Sequence, residues 1–289
     1  MLNLVHLKVL AAVARHGSVT EAARELHYSQ PSVSHHLSRL EAATGAQLVQ
    51  RIGRGIRLTP EGRLLAHRAA EIVGRVDAAA TELAAQVGLQ AGLVRLAANA
   101  STLATIVPKA AAALAREHPG LQLSLVDEHP VEALRMLRHG EIDVAVVFSH
   151  PGSPVEEGFR LRHLGADPVH LISRKAGDRL ENHRDSGWIG GCPRCQEELG
   201  AVCARAGFSP RIACLSDDMV VVQSLVAAGA GVAILPGLAL EAHRRPGVHA
   251  TETGFRRRIH AATYGEPPDP PAVAAVLAAL TDAASGALA

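Results

Sequence analysis

The sequence predicts an N-terminal winged helix-turn-helix, a long linker helix behind it, and an α/β region of two successive runs. Three observations carry this. Residues 17–62 hold two capped short helices and a basic hairpin. Leu65, Ala69, Ile72, Val76, Ala79, Leu83 and Gln86 recur at alternating spacings of three and four. From Leu93 onward, strand-like apolar runs alternate with helical segments.

The first helix spans residues 2–16, with Leu4, Leu7, Val9, Leu10 and Val13 on its apolar side and Gly17 ending it. Ser18-Val19-Thr20-Glu21 predicts a capping box, in which Ser18 accepts from the Glu21 N–H and the Glu21 side chain reaches back. Ala22, Ala23 and Leu26 face inward on the short helix that follows. After a tight turn at His27-Tyr28, Ser29 caps the next helix and Pro31 takes its first turn, where a missing N–H costs little. Two short helices joined this way form a helix-turn-helix.

The second of these helices has two faces. Val33, Leu37 and Leu40 lie together with His36 beside them. Opposite lie Pro31, Ser34, His35, Ser38 and Arg39, with Ser32 at the margin and Gln30 at the helix start. A solvated helix face usually carries more Glu and Lys. Short hydroxyls and an imidazole suit a helix laid against base edges, and Gln30 stands where recognition helices make their N-terminal contacts. Residues 48–59 read as two short strands around a Gly-rich tip. This wing carries Arg51, Arg54 and Arg57, placed to meet phosphates or a minor groove. The alternative is a plain three-helix bundle with a basic hairpin, and the agreement among the motifs argues against it.

Thr59-Pro60-Glu61 starts the linker helix by capping, N1 proline and helix-dipole rules, and the helix is expected to run to about Val87. Its heptad-like seam predicts pairing with a second chain. Gly88-Leu89-Gln90-Ala91-Gly92 reads as a hinge. The domains are thus 1–59, 60–88 and 89–289. In the last, strands at 93–98, 121–126 and 142–148 enclose helices at 102–118 and 130–138, which implies a parallel sheet buried on both faces. A second α/β run follows: strands at 169–173, 188–189, 211–215, 231–236 and 257–264, helices at 197–206 and 217–228, and a last helix after the Pro-rich 266–271.

Composition sets bounds. The chain of 289 residues is 48% hydrophobic but 2% aromatic, so Ala, Leu and Val must pack its cores. The net charge of +1 names no partner, yet residues 1–68 hold nine Lys and Arg against four Asp and Glu. A basic head on a mildly acidic body fits a nucleic-acid reader with a second, non-DNA part. The first residues lack a basic region followed by an apolar run, and no apolar run reaches membrane-spanning length. The cytoplasm is the expected compartment, no membrane partner is expected, and four cysteines there do not make a disulfide scaffold.

On Gly17, Ser18, Ala22, Ala23, Leu26, Ser29, Gln30, Pro31, Ser34, Leu40, Glu41, Gly45, Leu48, Arg51, Leu58, Thr59 and Gly62, the N-terminal segment resembles the winged helix-turn-helix of LysR-type transcriptional regulators. Val49-Gln50 stands before the wing arginine, where the family often has an apolar aromatic pair. Residues 205–210 (RAGFSP) and 226–236 (VAAGAGVAILP) resemble the family's effector-binding region more loosely. The resemblance implies two α/β subdomains with the fold of periplasmic binding proteins. Subdomain I would hold about 92–163 and 265–289, and subdomain II about 164–264, with a cleft between them. It also implies double-stranded operator DNA and a small-molecule effector as partners, a homodimer or homotetramer, RNA polymerase as a further partner, and no enzymatic activity. The competing reading is a solute-binding protein or enzyme that uses the α/β cleft and carries an incidental helical domain. The expected absence of a signal peptide and the polar recognition face count against it.

Ligands in open parallel sheets bind beyond the C-terminal ends of strands. Ser101 and Thr102 follow the first strand of the α/β half, Ser149 follows the third, and Ser216-Asp217 precedes a helix. These five are the expected effector contacts, and the helix start at 101–102 suggests a carboxylate ligand. The competing role for Ser101 is a helix cap, and capping is the default for Asp217 and Asp218. Cys192-Pro193-Arg194-Cys195 has metal or redox spacing, but no second close pair follows, so these thiols read as packing or pocket-edge groups. Cys203 reads as core. The histidines are scattered, and no catalytic or nucleotide-binding signature occurs. No catalytic residue, metal ligand or cofactor is expected.

Overall fold

The computed structural model describes residues 2–52, 55–86, 92–149 and 158–288. Two compact units result, residues 1–92 with 135–143, and residues 93–134 with 144–289.

The first unit opens with α1 (Leu4–His16), α2 (Val19–Glu25) and α3 (Gln30–Thr44). Asn3 caps α1 by accepting from the Val5 N–H at 2.8 Å, and Gly17 ends it in the left-handed conformation. Ser18 caps α2 through the Glu21 N–H at 3.4 Å. The other half of the capping box does not form, because the Glu21 carboxylate accepts from Arg24 instead. An exposed Arg one turn away offers a charged donor where the box offers a neutral N–H. Leu7, Leu10, Ala22, Val33, Leu37, Leu40 and Leu48 make the core. The hairpin β1 (Val49–Ile52) and β2 (Gly55–Leu58) pairs antiparallel, Val49 opposite Leu58.

The long helix α4 (Pro60–Gln86) starts where the sequence places it. Thr59 Oγ1 donates to the Gln47 carbonyl at 2.7 Å and accepts from the Gly62 N–H at 2.9 Å. A Cβ on Gly62 would lie 2.0 Å from the Leu48 carbonyl oxygen, so only glycine lets α4 pass the root of the wing. Leu65 and Ala69 join the core, whereas Ile72 and Val76 are 40% and 42% exposed and Leu83 is exposed too. The hinge expected at 88–92 lies outside the described residues except for Gly92.

The second unit holds β3 (Leu93–Ala98), α5 (Ala100–Leu103), α6 (Ile106–Glu117), β4 (Gln122–Asp127), the start of α7 (Pro130–Arg138) and β5 (Val144–Ser149). The helix expected at 102–118 is broken. Thr105 Oγ1 donates to the Ser101 carbonyl and Thr102 Oγ1 to the Asn99 carbonyl, taking acceptors a continuous helix would use. The long strand β6 (Phe159–Ser173) leads through a 3-10 turn at Leu180–His183 to β7 (Gly187–Gly190), α8 (Pro193–Arg205), β8 (Arg211–Leu215), α9 (Met219–Ala227), β9 (Ala233–Pro236) and α10 (Gly237–Ala242). A second long strand, β10 (His249–Tyr264), precedes α11 (Pro271–Ser285).

The main sheet has the order β4-β3-β5-β10-β6-β9, and β7 and β8 pair in parallel beside it. Only β4, β3 and β5 are parallel within the main sheet, while β10 runs antiparallel to both β5 and β6. The parallel sheet expected of these three strands forms, as one part of a larger mixed sheet. Residues 258–262 of β10 pair with β5, and residues 249–252 pair only with the end of β6. One continuous strand thus serves both lobes. The register between β10 and β6 shifts between Glu252 and Arg256 and again between Ile259 and His260. One core packs α6 and α11 on the first lobe, and two smaller cores, around Ile172 and Trp188, serve the second.

Candidate nucleic-acid interface and ligand cleft

In the first unit, Ser29 Oγ accepts from the Ser32 N–H at 3.3 Å and shares a hydrogen bond with the Ser32 hydroxyl at 2.8 Å, which fixes the start of α3. Val33, Leu37 and Leu40 are buried beneath it. Gln30, Pro31, His35, Ser38 and Arg39 are exposed, and Ser32 and Ser34 half-buried, so the polar face forms as the sequence predicts. Glu41 Oε1 accepts from the Leu48 and Val49 N–H groups at 2.8 and 3.2 Å and ties the wing to this helix. Arg57 is exposed on β2. Arg54 and the side chain of Arg51 lie outside the described residues. The sequence reading missed an aromatic cluster behind the face: the His36 ring lies 5.3 Å from His6 and 5.5 Å from Tyr28. Burial, then the charges of His36, Arg39 and His35, lower the pKa of His6.

In the second unit a cavity of about 210 Å3 opens at the C-terminal ends of β3, β4, β5, β7, β8 and β9. Its floor is an ion pair. Arg257 Nε donates to Asp167 Oδ2 at 2.9 Å, Arg257 Nη2 donates to Ser101 Oγ at 2.7 Å, and the guanidinium stacks 4.6 Å over the Phe148 ring. The side chains of Arg257 and Asp167 are 5% and 1% exposed. Asp167 Oδ1 also accepts from the Leu238 N–H.

The expected contacts divide. Ser101, Ser216 and Asp217 line the cavity. Ser101 Oγ accepts from Asn99 Nδ2 at 2.8 Å as well as from Arg257, and it does not cap α5, whose N-cap is Asn99. Thr102 is fully buried with its hydroxyl on Asn99, and Ser149 is not among the lining residues, so neither reaches the cavity. Asp218 caps α9, accepting from Val220 and Val221, which leaves Asp217 for another partner: it accepts from the Cys192 N–H at 2.5 Å.

The helix start expected to hold a carboxylate is short. Helix α5 is four residues long and offers little dipole. The cavity wall carries Asp127, Glu198 and Asp217, and its Arg257 charge is matched by Asp167. Cys192 caps α8, its Sγ accepting from the Cys195 N–H and lying 3.1 Å from Cys195 Sγ. Burial first, then the Cys192 thiol and the Asp217 and Glu198 carboxylates, push the Cys195 thiol up to about 12. Cys203 is fully buried, as expected of a core thiol. Arg257 and Asp167 were missed. The signal available was one inward position in the run Phe255-Arg256-Arg257-Arg258-Ile259, a charge where the strand alternation wants an apolar residue.

Among the described residues, no helix is long and apolar enough to cross a membrane. Residues 4–63 match the family described as bacterial regulatory helix-turn-helix protein, lysR family, and residues 88–285 match LysR substrate binding domain. The HTH-type transcriptional regulator TfdS of Cupriavidus pinatubonensis (strain JMP 134 / LMG 1197) is 30% identical over 259 residues, covering 85% of this chain and 86% of that protein. The fold is shared with CbnR, a LysR family transcriptional regulator (TM-score 0.68, 24% identity, 98% of this chain and 99% of that one). It is shared also with a full-length OxyR variant from Pseudomonas aeruginosa (TM-score 0.70, 21% identity, 97% and 95%). The chain therefore belongs to the LysR-type transcriptional regulators, a family of regulators rather than enzymes, with a helix-turn-helix domain joined to an effector-binding domain.

Proposed function

We propose that this protein reads a specific operator in double-stranded DNA through α3 and the wing. Gln30, Pro31, Ser32, Ser34, His35, Ser38 and Arg39 face the bases and adjacent backbone, and Arg51 and Arg54 contact phosphates with Arg57. Two chains pair through the exposed Ile72, Val76 and Leu83 of α4 to present two such helices, as a dimer or a dimer of dimers. A small molecule enters the cleft of the second unit, where it meets Ser101, Ser216 and Asp217 above the Arg257–Asp167 pair. The protein works in the cytoplasm, where RNA polymerase is the further partner.

The observation that carries this reading is the outer face of α3. It is exposed, nearly uncharged, and held rigid by a capped start and by Glu41 at the wing. The test is binding of labelled DNA from upstream of its own gene against random DNA. Gln30→Ala should reduce the preference by about 1–3 kcal/mol per lost base contact. An unchanged ratio of operator to random affinity would remove α3 from base reading.

A further inference from the structure

We propose that the cleft holds a thiophilic divalent cation of the zinc class, bound by Cys192, His129 and Asp217 with Cys195 as the fourth donor. This names a ligand class for the cleft described above and rests on reading that cleft as the ligand site.

Three donors from three separate segments meet beside the cavity, with a second thiol next to them, and His129, Cys195 and Asp217 are among the residues that line it. Cys192 and Cys195 open α8, His129 lies between β4 and α7, and Asp217 lies between β8 and α9. One donor atom each of His129, Cys192 and Asp217 lies within 4.8 Å of the others, and the two sulfurs are 3.1 Å apart. Ligand distances of about 2.0–2.3 Å put the donors of a tetrahedral zinc roughly 3.3–3.8 Å apart. Shifts of about 1 Å therefore bring His129, Cys192 and Asp217 to ligand spacing, and Cys195, whose sulfur lies 3.1 Å from that of Cys192 but outside the cluster of the other three, must turn further to join them. The sequence reading expected no metal because the thiol pair has no second close-spaced pair. The fold supplies the missing donors from residues 63 positions upstream of Cys192 and 25 downstream.

Two further observations point to a cation. Asp127, Glu198 and Asp217 line the cavity, while its guanidinium is already neutralised from below by Asp167. Gly191 sits between the donor segments: a Cβ there would lie 2.7 Å from Asp217 Oδ1 and 2.9 Å from Cys195 Cβ. Glycine thus keeps open the approach of Asp217 to the thiol loop. A thiol and an imidazole in the donor set select zinc, copper or nickel over magnesium and calcium. His129 and Asp217 are exposed, so the ion has an entry path from solvent. A dithiol switch would need neither the imidazole nor the carboxylate.

The test uses the full-length protein, chemically reduced and kept free of oxygen, titrated with Co2+ and then Zn2+. We expect one Co2+ per chain, with thiolate charge-transfer absorption and the visible bands of a tetrahedral site, displaced by Zn2+. Cys192→Ser keeps an oxygen able to cap α8, so the fold survives while the thiolate is lost. It should weaken Co2+ roughly 100-fold or more, beyond the 10–100-fold typical of residues that only orient a ligand. His129→Ala should do the same, and Cys214→Ser, outside the cluster, should not. Co2+ bound without thiolate absorption, or equally well by Cys192→Ser, would mean adventitious histidine binding and would overturn the site. So would a reduced protein that takes up no metal and merely forms a Cys192–Cys195 disulfide on oxidation. DNA affinity is measured on the same samples by anisotropy. Metal uptake that leaves DNA binding unchanged would preserve the site but remove the ion as the regulating ligand.

Discussion

Replacing Asp167 by Asn should destabilise the second unit severely. Asp167 and Arg257 are almost fully buried, and Asp167 is the carboxylate that meets the guanidinium. The amide preserves shape but leaves a buried cation facing a neutral group. Removing one partner of such a pair costs about 3–5 kcal/mol, mostly the penalty for the stranded charge. For a unit of this size each kcal/mol moves Tm by about 2–4 °C, so a fall of roughly 6–20 °C is expected. Trp188 is the only tryptophan and is fully buried in β7, so its fluorescence follows the second unit by itself. The exposed pair Lys109–Glu241 is the control: its nitrogen and oxygen are 2.8 Å apart, but Lys109→Ala should cost at most about 1 kcal/mol. Asp167→Leu combined with Arg257→Met should melt higher than either single change, since an apolar pair strands no charge. If Asp167→Asn melts no lower than Lys109→Ala, the pair is not desolvated and the account of the cleft floor is wrong.

Three other outcomes are expected. Ile72→Asp with Val76→Asp puts charges into the exposed part of the α4 seam, and light scattering should show dimers and DNA affinity lost together; dimers that persist would refute pairing through α4. Arg57→Ala should weaken binding to operator and random DNA alike and reduce the slope of log affinity against log salt by about one unit, whereas a change confined to the operator would make Arg57 a base reader. Burial alone would raise the Asp178 carboxyl, but bonds from Asn182, Ser173, His183 and the Arg179 N–H overcome this and hold it well below its ordinary 3.8. Its stabilisation is therefore present above that pH and fades as pH falls toward the lower folded value. Asp178→Asn should lower Tm at pH 7 and lessen its fall below about pH 4, and parallel acid profiles for the two proteins would contradict this.

The first unit was legible because its signals are local. Ser18, Ser29 and Thr59 cap the helices that follow them, and Gly17 and Gly45 end helices in the left-handed conformation. Each rule spans only a few residues. The same locality misled at Glu21, where Arg24 competes for the carboxylate, and at 102–118, where threonine hydroxyls take helix acceptors. The long strands β6 and β10 were read short for a different reason. In β6 the inward parity changes at Gly165, from Leu164 to Asp167, Val169 and Leu171, and in β10 the inward positions Thr251, Thr253 and Arg257 are polar, so the apolar pattern starts late. A window of strand length sees two half-patterns there and reports only the more apolar one.

The cleft obeys longer rules. Strand ends were the right place to look, and Ser101, Ser216 and Asp217 do line it. Which side chain at a strand end faces the cavity depends on where the next helix breaks. Thr102 follows Ser101 directly, yet the turn at Asn99 directs its hydroxyl back to the backbone and buries it completely. The charge of the cleft depends on pairing across lobes: Arg257 would make it basic, and Asp167, ninety residues away, cancels that. With that cancellation, the carboxylates of Asp127, Glu198 and Asp217 set the sign of the field beside the paired thiols. These carboxylates would favour a cation bound beside them. The electrostatics of the cleft and the donor atoms at its end thus favour the same class of ligand, although the sequence had suggested its opposite.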